Sequence, residues 1–329
     1  MDYRSAGVDI DSADAALQQL KVVIQQTFTP LVLRDVGLFG GFFDARFADY
    51  RHPVLVASTD GVGTKLLVAI QSGIHHTIGQ DLVHHCVNDI LSGGAHPLFF
   101  LDYFATGKLE ESVVVAVVTG IAQACRAHQC ALLGGETAEM PSLYADGHYD
   151  LAGTIVGVVE KEHIIDGSHI QPGDVLLGLR SSGLHTNGYS LARAVLLKHY
   201  RLDQYVPELG TTVAEELLKV HRSYYSLIAP LLPTGWIKGM AHVTGGGILG
   251  NLQRILPDGT AAEIYWGQWE IPPVFQLIQR LGPVAEDEMR RVFNLGIGMV
   301  VVVAPEHVDT VQHRLGETAP VIGTVVSAA

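Results

Sequence analysis

The sequence predicts an α/β (α+β) fold in two domains, on three observations. Its length of 329 residues exceeds the roughly 100–200 residues of a single domain. Short strand-type apolar runs alternate with longer runs of helical period through both halves. A Gly/Pro/Asp-containing stretch, Gly167 to Asp174, separates the halves. We therefore expect one domain over 1–167 and a second over 168–329.

In chain order, Leu17, Leu20, Val23 and Ile24 carry a helical pattern, and Gly37, Gly40 and Gly41 mark a loop. Pro53 to Ser58 reads as a buried strand running into the loop Asp60 to Lys65, with a helix through Leu66, Leu67 and Ile70 beyond it. Helices are expected over Ile78–Leu91 and Glu111–His128. Strands are expected over Pro97–Tyr103, Ala131–Leu133 and Leu151–Val159. In the second half the pattern predicts strands at Val175–Leu179, Ala241–Thr244 and Gly298–Val303. It predicts helices at Tyr189–Leu197, Ala214–Leu232, Ile248–Leu256 and Pro273–Arg280. The polar segment Asp2 to Asp14 reads either as a frayed terminus or as a flap over a ligand.

Composition narrows the function. With 48% hydrophobic and 17% charged residues, a sizeable core is expected. The net charge of −13, with no Lys/Arg cluster, argues against a nucleic-acid partner. It does not argue against phosphate ligands, which backbone N–H groups and a bound cation can hold. No run of about 18 apolar residues is present, so no membrane partner is expected. The first twenty residues are too acidic for a signal peptide. Cys86, Cys125 and Cys130 lack metal-ligand spacing and read as buried thiols of a cytoplasmic protein.

Chemistry concentrates in Gly-rich loops. In Asp60-Gly61-Val-Gly63-Thr64-Lys65, the glycines admit a ligand close to the backbone, Thr64 and Lys65 supply a hydroxyl and a charge, and Asp60 can hold a divalent cation. On the helix that follows, Asp81 and Asn88 share a face, with His85 near it and Asp89 to one side. Such oxygen donors suit Mg²⁺ better than Zn²⁺. His84 and His85 receive no role. Gly134-Gly135-Glu136-Thr137 is a third Gly-plus-acid loop, in which Glu136 could reach a metal. In the second half, His185-Thr186-Asn187-Gly188 and His242-Val-Thr244-Gly245-Gly246-Gly247 each open a helix and suit an anion. His185 and His242 are candidate acid/base or substrate-binding groups. Together these loops describe an ATP/Mg²⁺ enzyme with a second phosphate-bearing ligand.

Eight segments carry a resemblance: AGVDID (Ala6 to Asp11), TDGVGTK (Thr59 to Lys65), CVNDI (Cys86 to Ile90), PLFFLDYFATGKL (Pro97 to Leu109), GGETAEMP (Gly134 to Pro141), SSGLHTNGYSL (Ser181 to Leu191), HVTGGG (His242 to Gly247) and NLGIGMV (Asn294 to Val300). In this order the chain resembles the phosphoribosylformylglycinamidine cyclo-ligase, or aminoimidazole ribonucleotide synthetase, family. The resemblance implies an N-terminal domain lending strands to a dimeric eight-stranded barrel, hence a homodimer, and a C-terminal α/β domain. It implies that ATP phosphorylates the formyl oxygen of formylglycinamidine ribonucleotide, after which the ribosyl-bearing nitrogen closes the imidazole ring. Asp60, Asp81, Asp89 and Glu136 would then hold Mg²⁺. Gly61, Gly63, Thr64, Lys65, Asn88, Gly134, Gly135 and Thr137 would complete the ATP site. The loops His185 to Gly188 and His242 to Gly247 would hold the ribonucleotide, and Lys65, His185 and His242 are the candidate catalytic groups.

Related enzymes of the same superfamily fit less well. A selenophosphate synthetase needs a reactive Cys or selenocysteine near its start, and the first cysteine here is Cys86. The hydrogenase-maturation dehydratase needs a C-terminal Cys, absent from Val325 to Ala329. A non-catalytic nucleotide-binding scaffold would not need the full acid set.

Overall fold

The computed structural model describes residues 10–315 and 319–328, with side chains from Gln18 onward. The flap expected over Asp2 to Asp14 and the motif Ala6 to Asp11 lie outside the described side chains. The chain forms two units. One comprises residues up to 90 together with 97–158; the other comprises 91–96 and 159 onward.

In the first unit the elements run α1 (Ile10–Gln25), β1 (Pro53–Gly61), α2 (Leu66–Ser72), α3 (Ile78–Ser92), β2 (His96–Thr106), α4 (Glu111–Ala127), β3 (Ala131–Glu139) and β4 (Tyr149–Glu160). The strands form one sheet in the order β1-β4-β2-β3. Val83, Val87 and Ile90 of α3 and Val114, Val117 and Ile121 of α4 are buried, as their spacing predicts. Gly79 sets how closely α3 and α4 approach. A Cβ there would lie 2.1 Å from the Val117 carbonyl oxygen.

The expected loop at Gly134 to Thr137 is instead strand. Sequence reading ended the strand at Leu133, but β3 continues to Glu139, parallel to β2, with Asp102 opposite Gly135 and Tyr103 opposite Glu136. Gly135 is there for space rather than for a turn. A Cβ on Gly135 would lie 2.2 Å from Asp102 Oδ1. Asp60 and Gly61 likewise belong to β1, and only Gly63 to Lys65 turn, in a 3-10 helix.

The second unit continues with β5 (Val175–Arg180), α5 (Tyr189–Leu196), β6 (Tyr205–Val206), β7 (Thr211–Thr212), α6 (Val213–Leu217), α7 (Tyr225–Ile228), β8 (Ile237–His242), α8 (Gly247–Leu252), β9 (Thr260–Ile264), α9 (Pro273–Leu281), α10 (Glu286–Val292), β10 (Ile297–Val303), α11 (Val308–Leu315) and β11 (Val321–Ser327). Its main sheet has the order β8-β10-β5-β11-β9, and every pairing in it is antiparallel. Strand β10 shows why the run Ile297–Val303 is apolar throughout. Met299, Val301 and Val303 join a core with Leu177, Leu179 and Met240, while Val300 and Val302 join a second core with Leu176, Ile248 and Ile322. Both faces of the sheet are covered.

Sequence reading expected a mostly helical Ala214 to Leu232. The structure breaks this span after Leu217, resumes at α7 and ends in a 3-10 turn, Ala229–Thr234. Tertiary donors capture the carbonyls that a continuing helix would use: the Tyr189 hydroxyl donates to Leu217 O and the Ser182 hydroxyl to Val220 O. Pro230 and Pro233 then favour the tighter turn.

Replacing Gly79 by Ala should force the α3–α4 contact apart. We expect a loss of about 1–3 kcal/mol, read as a lower urea midpoint at unchanged m-value. An unchanged midpoint would mean that this helix contact adjusts freely.

Candidate active site

Two clusters of functional side chains emerge, one in each unit. In the first, Lys65 and Asp81 form a fully buried ion pair. Lys65 Nζ donates to Asp81 Oδ1 at 2.9 Å and lies 2.8 Å from Oδ2, with neither side chain exposed. Burial lowers the Lys65 pKa, and the Asp81 carboxylate only partly restores it. Both residues were expected at a nucleotide and metal site; here each faces the other. Asn88 is also fully buried, so the polar face of α3 points inward.

Asp60 and Asp89 remain accessible, with side chains 43% and 26% exposed. Between them stands His85, a residue to which sequence reading gave no role. Its Nε2 lies 2.8 Å from Asp60 Oδ2 and 3.8 Å from Asp89 Oδ2. The Ser58 hydroxyl donates to Asp89 Oδ2 at 2.9 Å, and Asp60 Oδ1 accepts from the Gly61 N–H at 2.7 Å. Burial alone would lower the His85 pKa. The hydrogen bond to Asp60 and the charges of Asp89, Asp60 and Asp81 outweigh it and hold the imidazole above its ordinary range. Burial would raise Asp60, yet the bonds from His85 and Gly61 keep it below the usual carboxylate range. An i,i+4 pairing of His85 with Asp89 was legible on the helix; its bridge to Asp60 required the fold.

Glu136 does not join this pair within the unit. It sits on β3, at the opposite edge of the sheet from β1, three strand spacings or roughly 14 Å away. Gly134, Gly135 and Thr137 lie on the same edge strand, engaged in the β2 ladder. Thr64 and Gly63 sit in the 3-10 turn beside Lys65, with Gly63 at φ +70°.

In the second unit the two motif loops are drawn together on imidazoles. His185, at φ +62°, is buried, and its Nε2 accepts the Ser182 N–H at 3.2 Å. His242, the last residue of β8, is buried as well. Gly298 of β10 makes room for this cluster, because a Cβ there would meet the Tyr224 hydroxyl at 2.1 Å and His185 Cε1 at 2.5 Å. Asn294, unassigned by sequence reading, fixes the first loop. It accepts from the Ser181 hydroxyl at 3.0 Å and donates to Gly183 O at 2.8 Å. Asn251 fixes the second. Its amide donates to Gly247 O at 2.9 Å and Gly245 O at 3.3 Å, and its oxygen accepts from the Thr244 hydroxyl at 3.2 Å. Gly246 sits at φ +99° and Gly188 at φ +79°, where a side chain would strain the backbone. Asn187 Oδ1 lies 3.5 Å from where a Cβ on Gly245 would stand, so the two loops are neighbours.

Residues 44–159 match the family described as AIR synthase related protein, N-terminal domain, and 171–329 match AIR synthase related protein, C-terminal domain. The phosphoribosylformylglycinamidine cyclo-ligase of Sorangium cellulosum is 53% identical over 99% of this chain and 95% of its own length. That of Citrifermentans bemidjiense is 51% identical over 98% and 94%. The chain belongs to the phosphoribosylformylglycinamidine cyclo-ligase family. It is thereby an ATP-dependent ligase of purine biosynthesis. The fold is shared more widely than the sequence. A crystal structure of the hydrogenase maturation protein HypE in complex with ATP superposes with a TM-score of 0.63 at 18% identity, covering 99% of this chain and 89% of that one.

The cyclo-ligase's buried ion pair offers a direct test. Lys65→Met removes the buried cation that faces Asp81 and should cost about 3–5 kcal/mol. Adding Asp81→Leu should recover most of that loss in a urea titration. A double variant no more stable than the single one would show that other partners, not Lys65, neutralise Asp81.

Proposed function

We propose that the first unit binds ATP with Mg²⁺ and the second binds formylglycinamidine ribonucleotide. The observation that supports this is the division of chemistry: paired, accessible carboxylates at Asp60 and Asp89 in one unit, and imidazoles on two Gly-rich loops in the other. A hard cation fits the first set, because Asp60 Oδ2 and Asp89 Oδ2 both converge on His85 Nε2 and both retain solvent exposure. Asp60 and Asp89 would hold it; bound there, it would neutralise charge on the phosphoryl oxygens. The buried Asp81–Lys65 pair would brace that loop rather than contact the metal. The ATP complex of the HypE relative supports a nucleotide on this fold.

The proposed reaction is transfer of the γ-phosphoryl group to the formyl oxygen, attack of the ribosyl-bearing nitrogen on the activated carbon, and departure of phosphate. A formamide oxygen is a poor leaving group and phosphate a good one, so the protein has chiefly to position two anions and manage a proton. His185 and His242 are the groups suited to the proton, and the segment Thr244 to Gly247 is suited to the 5′-phosphate.

The enzyme is further proposed to be a cytoplasmic homodimer. Three buried free thiols suit a reducing compartment. The four-stranded sheet has open edges at β1 and β3, and two such sheets closing on each other across a two-fold would remove them as an eight-stranded barrel. Leu55 of β1, 61% exposed, would be covered in that arrangement. Light scattering at micromolar concentration should give twice the 35.4 kDa chain mass. A stable, active monomer would overturn the dimer.

Kinetics with each substrate varied separately test the division between the units. Asp60→Asn should lower turnover by about 10²-fold or more at limiting Mg²⁺ while the fold survives. Gly245→Ala, at a position with ordinary φ and an uncrowded Cβ, should raise the KM for the ribonucleotide by about tenfold and leave that for ATP within about twofold. Wild-type turnover in Asp60→Asn would remove the cation assignment. An ATP-specific defect in Gly245→Ala would reverse the two units.

A further inference from the structure

His221 belongs to no motif and lies in the irregular stretch between α6 and α7, where sequence reading expected helix. Yet it is completely buried and stands at the centre of the second cluster. Its Nε2 is 3.0 Å from His242 Nε2, and its Nδ1 is 3.3 Å from Thr186 Oγ1. Its ring stacks on His185, with centroids 4.0 Å apart and planes 22° from parallel. One side chain therefore touches the candidate groups of both Gly-rich loops.

Three buried imidazoles invite a zinc reading, and the ring geometry argues against it. An ion about 2.0–2.1 Å from a ring nitrogen lies in that ring's plane. With His185 and His221 stacked face to face, an ion in the plane of one ring is well off the plane of the other. The 3.0 Å Nε2–Nε2 separation is also shorter than the roughly 3.3 Å between two nitrogens on one tetrahedral zinc. It is a hydrogen-bond distance, and it imposes a rule: one of the two nitrogens carries the proton and the other the lone pair.

We infer that His221 is a positioning residue that fixes the tautomer and orientation of His242. Resting on the reading of His242 as a substrate-handling group, this deepens that reading. Two neutral arrangements satisfy the contacts. In one, the Thr186 hydroxyl donates to His221 Nδ1, His221 Nε2–H donates to His242 Nε2, and the His242 proton resides on Nδ1. In the other, His242 Nε2–H donates to His221 Nε2, and His221 Nδ1–H donates to Thr186 Oγ1. Interchange by relay takes up one proton at Thr186 Oγ1 and releases one from His242 Nδ1, so that each arrangement is neutral and the proton released at His242 is matched by the one gained at Thr186. Stacking on His185 holds the His221 ring in the one plane that serves both contacts. The helix break after Leu217 is what delivers this ring. Leu217 O and Val220 O are bonded by Tyr189 and Ser182, and the chain between them turns His221 inward.

Two variants and one spectroscopic measurement test this. His221→Phe keeps the aromatic stack and removes both nitrogens. His221→Gln keeps a polar group able to reach His242. We expect His221→Phe to lower kcat by about 10-fold to 100-fold, within the range of a general acid–base contribution, with the ribonucleotide KM within about twofold of wild type. His221→Gln should restore most of the turnover. In full-length enzyme labelled with ¹⁵N-histidine, His242 should populate one neutral tautomer in wild type and relax to a mixture in His221→Phe. The double variant His221→Phe/His242→Ala should be no slower than His242→Ala alone, because groups acting as a unit are not additive. Unchanged kcat and an unchanged His242 tautomer in His221→Phe would overturn the inference, as would stoichiometric zinc in wild type that is lost in His221→Phe. The parent reading fails separately: if His242→Ala itself keeps wild-type kcat and ribonucleotide KM, His242 does not handle substrate.

Discussion

A lysine with no solvent exposure must be neutralised in place, and Asp81 does this for Lys65. That requirement ties the turn after β1 to the first turn of α3. Once the two are joined, Asp60 at the end of β1 is brought to the His85 face one helical turn further along, and Asp89 follows at i+4 from His85. Neither side chain of the ion pair is exposed. Its effect is to give two accessible carboxylates a fixed separation from one imidazole. Catalysis of phosphoryl transfer depends chiefly on positioning and electrostatic stabilisation, so on the proposed cation assignment this buried pair would act as a brace behind Asp60 and Asp89.

The second unit solves the same problem with amides and glycines. Asn294 and Asn251 each tie one Gly-rich loop through several hydrogen bonds. Gly298, the second residue of an otherwise apolar strand, leaves the space that His185 and Tyr224 occupy. The strand is therefore both the centre of two cores and the floor of the imidazole cluster. A glycine at that point sacrifices core packing for a site, as local departures from good strand composition often do.

Much of the framework was legible because period and punctuation agree. The helices at Ile78 and Glu111 and the strands at Pro53, Val175 and Gly298 begin within a residue or so of where their apolar patterns place them. Misreadings arose where tertiary contact overrides local signal. Gly134-Gly135 looks like a turn, but parallel pairing with β2 carries it as strand, and the missing side chain of Gly135 accommodates Asp102. The span after Leu217 has helical composition, but side-chain donors capture its carbonyls. Strands β9 and β11 were missed: β9 spans only five residues, and β11 finds its partner β5 far away in sequence. At the site, residue types were legible and pairings were not. Nothing in Lys65 or Asp81 announces that they face each other, and nothing in the run from Lys219 to Ser223 announces that His221 is buried.

The acid balance of the chain sharpens the case for a cation. With a net charge of −13, the protein as a whole repels a triphosphate, so attraction must be local. In the first unit the lysine of the phosphate-type loop is already matched by Asp81, which leaves that pair near neutral. The accessible groups beside it are two carboxylates sharing one histidine, an arrangement that under the proposed reading would suit a metal-bound polyphosphate better than a bare one. Among the described residues, the loops of the second unit show no comparable carboxylate pair; as proposed, they would meet a phosphomonoester with backbone N–H groups and imidazoles. On the proposed division, the carboxylates of the first unit suit the phosphate ligand that carries its own cation, and the backbone N–H groups and imidazoles of the second suit the one without.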